Sequence, residues 1–63
     1  MILIMVSPFG REMVVGSDTN LARLSALAAR FAADDAALIA QRHLGTRLGY
    51  YSLRANGVEL ERF

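Results

Sequence analysis

Residues 47–63 read RLGYYSLRANGVELERF, and the fold turns on the middle of that stretch, Tyr50 to Leu60. Asn56-Gly57 separates two short apolar runs, and Asn-Gly is the strongest short hairpin signal because a type I′ turn needs positive φ at both central positions. Registering on that turn pairs Ala55 with Val58, Leu53 with Leu60 and Tyr51 with Arg62 on one face, which is expected to be core. The opposite face pairs Arg54 with Glu59, Ser52 with Glu61 and Tyr50 with Phe63, and its polar middle predicts a solvated surface.

A second hairpin is expected over residues 1–16. Met1 to Val6 is rich in strand formers, and Ser7-Pro8-Phe9-Gly10 has the residues that a type I turn with a following glycine favours. If Ser7 pairs with Arg11, Ile2, Ile4, Val6 and Val14 share one face, while Leu3, Met5, Met13 and Val15 share the other. Both faces are apolar, and a single helical layer covers only one face of a small sheet. One stripe is therefore surplus to the core and available to a partner. Methionine suits adaptable surfaces, so the stripe of Leu3, Met5, Met13 and Val15 is the candidate contact, the alternative being that it is the core stripe under the helix.

Between the hairpins, Ser17-Asp18-Thr19-Asn20 offers several N-caps, and Leu21, Leu24, Leu27, Ala28 and Phe31 recur at helical spacing. A helix from about 18 to 33 follows. Extending it would bring Asp35 and Arg42 into the apolar stripe and make a rod of roughly 39 Å over strands of roughly 17 to 20 Å. The helical region is thus one long or two shorter helices. A break near Asp34-Asp35 is expected, with either aspartate capping a second helix from Ala36 to Leu44 that Gly45 ends. The fold class is α+β, ββα(α)ββ, in one small domain spanning 1–63.

That order of hairpin, helix and hairpin resembles a β-grasp domain of the ubiquitin-like family. MVVGSDTNLARLSAL (13–27) looks like that family's second strand, helix cap and helix, and YYSLRANGVEL (50–60) like its third strand, tight turn and fourth strand. The family's fifth strand and Gly-Gly tail have no counterpart here, so conjugation is not implied, and Met1 to Val6 is expected to pair with the last hairpin or to present an open edge. What the resemblance does imply is binding through the exposed sheet face, which by position involves Tyr50, Ser52 and Arg54 together with the outward residues of the first strand.

Composition narrows the function classes. A chain of 63 residues buries only about 60% of the surface of its unfolded form, so its stability is marginal. It has no cysteine and a single histidine, His43, leaving association as the means of support. The hydrophobic fraction of 54% argues against disorder, and a net charge of +1 gives no general attraction to nucleic acid or membrane. All seven basic residues are arginine. The apolar start has no basic leader and is too short for a signal core or a membrane span, so a cytoplasmic location is expected.

Catalytic constellations are not apparent. Asp34 and Asp35 would point about 100° apart on a helix, which suits capping better than acid and base work on one bond. His43 lacks companion ligands for a metal and sits where a helix's last turn would use it, and the serines have no nucleophile elbow. The expectation is a non-enzymatic interaction module without cofactor, an adaptor or inhibitor of a size common in phages and mobile elements, whose partner is another protein or a second copy of itself. The alternative is a winged-helix nucleic-acid binder using the 36–44 helix and the 47–63 hairpin.

Overall fold

The structure, a computed structural model, describes residues 1–42 and 49–63. Strands β1 (Ile2–Val6) and β2 (Glu12–Ser17) form the first hairpin, helix α1 (Leu21–Arg42) follows, and β3 (Tyr50–Ala55) and β4 (Val58–Arg62) form the second. They make one four-stranded sheet of order β2-β1-β3-β4, antiparallel throughout, with β1 paired directly to β3. This is the expected α+β, ββαββ architecture, with α1 laid on one side of the sheet.

Both turns follow from local chemistry. The Ser7 N–H donates to the Arg11 carbonyl at 2.8 Å, and the Ser7 hydroxyl accepts from the N–H groups of Phe9 and Arg11, fixing the loop between β1 and β2. Asn56 and Gly57 have φ of 52° and 78°, the positive values that a type I′ turn requires. The α1 cap is equally local. The Asn20 side-chain oxygen accepts from the Arg23 N–H, and Asp18 orients Asn20 by accepting its N–H at 2.8 Å. The helix starts at Leu21, three residues later than expected.

Side chains of odd number on β1 face α1. Leu3, Leu24, Ala28, Tyr51 and Leu53 form the core, and Met1, Met5, Val15, Leu27, Phe31, Ala32 and Phe63 pack around it. Pairs Ile4 with Val14 and Met5 with Met13 match the expected register, but Val15 is an extra residue, and beyond it Leu3 pairs with Gly16 and Ile2 with Ser17. The bulge sets a glycine beneath the helix. A Cβ on Gly16 would come within 3.1 Å of Leu27 Cδ2 and 3.3 Å of Leu24 Cδ1, so the residue here must be small for α1 to lie this close.

Two expectations are corrected. The second hairpin keeps Ala55 with Val58 and Arg54 with Glu59, but then Leu53 pairs with Glu61 and Ser52 with Arg62, because Leu60 is bulged out. Tyr51 and Phe63 exchange backbone hydrogen bonds at 3.2 and 2.8 Å. An unbroken ladder would push Arg62 under the helix and Phe63 into water; the extra residue reverses both placements. The break near Asp34-Asp35 does not form either, and α1 runs through both aspartates without interruption. Asp35 is tolerated in the apolar stripe because the buried Tyr51 hydroxyl donates to it at 2.8 Å, while the Tyr51 ring stacks on Phe31 with centroids 5.6 Å apart. Neither aspartate caps a second helix. His43, Leu44 and Gly45, assigned to the end of that second helix, lie outside the described residues.

Candidate functional site

Among the described residues, no second layer covers the sheet face opposite α1. That face carries Ile2, Ile4 and Val6 from β1, Glu12 and Val14 from β2, Tyr50, Ser52 and Arg54 from β3, and Glu59 and Arg62 from β4. The surplus stripe is thus the even-numbered one of β1, and the methionine-bearing stripe is the one that packs under the helix. An uncovered isoleucine and valine would meet water, yet Ile4 and Val6 are only 6% and 4% exposed. The pair of Arg54 and Glu12 lies over Ile4.

Arg54 stands opposite Ile2, and Glu12 opposite Val6, so the contact between them crosses β1 diagonally at the level of Ile4. It is bidentate: Arg54 Nη1 and Nη2 donate to Glu12 Oε1 and Oε2 at 3.2 and 2.7 Å. The Nε of Arg54 donates to the Ser52 hydroxyl, which in turn donates to Glu59 Oε1 at 2.7 Å. Arg62 donates to both Glu59 oxygens from Nε and Nη2, and its guanidinium carbon sits 4.1 Å from the centre of the Tyr50 ring. One hydrogen-bonded chain therefore crosses all four strands, from Glu12 through Arg54, Ser52 and Glu59 to Arg62.

The electrostatics follow from these partners. The hydrogen bond from Arg54 holds the Glu12 carboxyl below the usual carboxylate range, and the bonds from Arg62 and then Ser52 do the same for Glu59. Glu12 and Glu59 correspondingly raise the pKa of Arg54 and Arg62. Two carboxylates face two guanidiniums, so the network is neutral. No buried polar side-chain atom among the described residues lacks a hydrogen-bond partner.

Of the partner-contact residues expected from sequence, Leu3 is fully buried against Leu24 and offers no surface, and Met5 and Val15 are half-buried beside the helix. Met13 is 56% exposed at the β2 edge. Tyr50, Ser52 and Arg54 do lie together on the open face, but Ser52 is completely enclosed, with its hydroxyl serving as the joint of the network. Ile2 and Val14, expected on the even-numbered stripe, and Glu59, expected opposite Arg54, complete the face together with Glu12 and Arg62, which were not anticipated. Glu12 was within reach, since the Ser7 and Arg11 register places it across from Val6 on the even stripe. Arg62 was hidden by the bulge.

Each charged group of the network is engaged by an opposite charge, and the Ser52 hydroxyl, enclosed within the face, donates to the Glu59 carboxylate. Among the described residues, no group of three or more His, Cys, Asp or Glu side chains could hold a metal ion, and no helix is long and apolar enough to cross a membrane. In comparisons with known proteins, no family model, no curated protein and no solved structure matches this chain.

Proposed function

We propose that this chain is a non-enzymatic protein-protein interaction module, an adaptor or inhibitor of a larger protein, that docks through the open face of its sheet. The observation that supports it is that, among the described residues, α1 covers one side of the sheet only, while the other is paved by a hydrogen-bonded lattice flanked by Ile2, 37% exposed, and Val14, 59% exposed. Because Arg54, Ser52, Glu59 and Arg62 already hold one another in place, a partner meets side chains whose rotamer freedom is spent before binding. The partner surface that fits is a mixed one, with apolar side chains to cover Ile2 and Val14 and polar groups able to join the neutral lattice.

A winged-helix nucleic-acid binder has less to build on. It needs a recognition helix separate from the one before it, and residues 36–42 are instead the last turns of α1. Arg54 and Arg62 already have carboxylate partners. The experiment is capture of protein from the native host by wild type, by Ile2→Glu combined with Arg54→Ala, and by Arg30→Glu on the outer side of α1. A specific partner lost with the first variant and retained with the second supports the proposal. Equal capture by all three, or retardation of DNA or RNA with a steep salt dependence, overturns it.

A further inference from the structure

Among the described residues β2 and β4 form the two edges of the sheet, and they differ. β4 is guarded: it carries Glu59, Glu61 and Arg62 and is bulged at Leu60, all features that deter a further strand. β2 carries a single charged residue, Glu12, and its bulge at Val15 leaves Glu12 to Val14 regular. Four large apolar side chains line it and its flanks: Phe9 at the hairpin tip, 93% exposed, Met13 at 56%, Val14 at 59%, and Leu21 at the start of α1, 48% exposed. Beside Met13 lies an open depression of about 450 Å³ whose described lining is Met5, Ser7, Arg11, Glu12 and Met13, mostly apolar in area.

Backbone alternation fixes which groups this edge presents. Ser7 and Arg11 form a hydrogen-bonded pair, so two residues along Met5 and Met13 do as well, and the N–H and C=O of Glu12 and Val14 point away from β1. We propose that β2 pairs antiparallel with β2 of a second copy, about a two-fold axis at Met13, joining two sheets into one of eight strands.

Three features select this register. It uses Glu12 to Val14, the stretch before the Val15 bulge interrupts the strand. It sets Glu12 opposite Val14 of the second copy, so the outward backbone groups meet and like charges do not face each other. It also aligns Met5, Met13 and their two copies in one row on the helix side of the joined sheet. The paired stretch is short, placing the contact at or below the low end of specific interfaces, about 1,200 Å². A weak, concentration-dependent dimer follows. The contact runs through the backbone edge of β2 and shares the side chains of Glu12 and Val14 with the open face, and variants that touch only one surface, Met13→Glu and Ile2→Glu, separate it from the partner proposed there.

The test uses the intact chain, which has no native cysteine. At the two-fold axis the paired Met13 Cα atoms would be about 4.5 Å apart, within disulfide range, so Met13→Cys should form a covalent dimer at least ~10-fold faster than Val58→Cys on the β4 edge. In sedimentation up to about 1 mM, wild type should show a dimer, and Val14→Pro, which deletes one outward N–H, should weaken it at least ~10-fold with circular dichroism unchanged. Should Val14→Pro unfold the chain, Met13→Glu decides instead, since it sets two carboxylates against each other on the axis. Ile2→Glu on the open face should leave self-association as it was. Wild type that stays monomeric throughout, cysteines that cross-link at equal rates, or a folded edge variant that dimerises like wild type overturns the proposal.

Discussion

Replacing Tyr51 by phenylalanine removes the hydrogen bond that ties Asp35 of α1 to the sheet. The ring remains, with its stacking on Phe31, and what is lost is the 2.8 Å hydrogen bond from the hydroxyl to Asp35. Hydrogen bonds to charged groups contribute about 1.5 to 3 kcal/mol, and the half-buried Asp35 can recover some hydration, so the cost should sit near ~1.5 kcal/mol. For a domain this small that lowers the melting temperature by roughly 6 to 12 °C. A second signature lies at alkaline pH. Burial, then the hydrogen bond to Asp35 and the charges of Asp35 and Asp34, push the Tyr51 pKa from 10.0 up to about 12. The fold favours the neutral phenol, so this contribution is fully present below pH 10 and is lost between about pH 10 and 12, amounting to at most ~2.7 kcal/mol. Thermal melts followed by circular dichroism across that range should show a steep loss in wild type and a shallower one in Tyr51→Phe. Coincident melts at neutral pH, together with identical alkaline limbs, would refute the role given to this hydrogen bond.

Other perturbations read other parts of the fold. Gly57→Val should cost on the order of 1 kcal/mol or more from backbone strain alone, since φ is 78° and no atom lies within 4 Å of a new Cβ; a denaturant midpoint equal to wild type would contradict the type I′ turn. Gly49→Ala should prevent stable folding, because at φ of 114° its Cβ would overlap the Val6 carbonyl oxygen, and a cooperative melt near the wild-type temperature would argue against that close approach. Phe63→Ala should destabilise clearly more than Leu60→Ala, as Phe63 packs on the core while Leu60 is 50% exposed; the reverse order in urea titrations would remove the β4 bulge. Glu12 and Glu59 have depressed pKa values in the fold, so their contribution is present above the ordinary carboxylate range and fades as pH falls through it; Glu12→Gln should flatten the acid limb of the stability profile.

The parts of this fold that were legible from sequence are those set by short-range chemistry. Asn56-Gly57, Ser7-Pro8-Phe9-Gly10 and the helix cap near Asn20 each specify a local geometry, and together they imply two hairpins around a helix. The bulges at Val15 and Leu60 carry no such local mark. The one at Leu60 left a trace in the conflict of an unbroken ladder, which buried Arg62 and exposed Phe63, and resolving that conflict by one inserted residue would have located it. The continuity of α1 was out of reach for a different reason: Asp35 looks misplaced until the Tyr51 hydroxyl of β3 is known to face it. The open face was half visible. Its even-numbered stripe on β1 and β2 followed from the first turn, whereas Arg54 reaching across to Glu12 depends on β1 lying between β2 and β3, a long-range pairing that no local pattern encodes.

Site-specific photo-cross-linking in the native host tests most directly whether the uncovered sheet face is the working surface. A photoreactive residue replacing Ile2 reports on that face, and one replacing Arg30 reports on the outer side of α1. The open-face proposal predicts one discrete heavier adduct from position 2, abolished by Arg54→Ala, and none from position 30. Adducts of equal yield from both positions, or from position 30 alone, would contradict it.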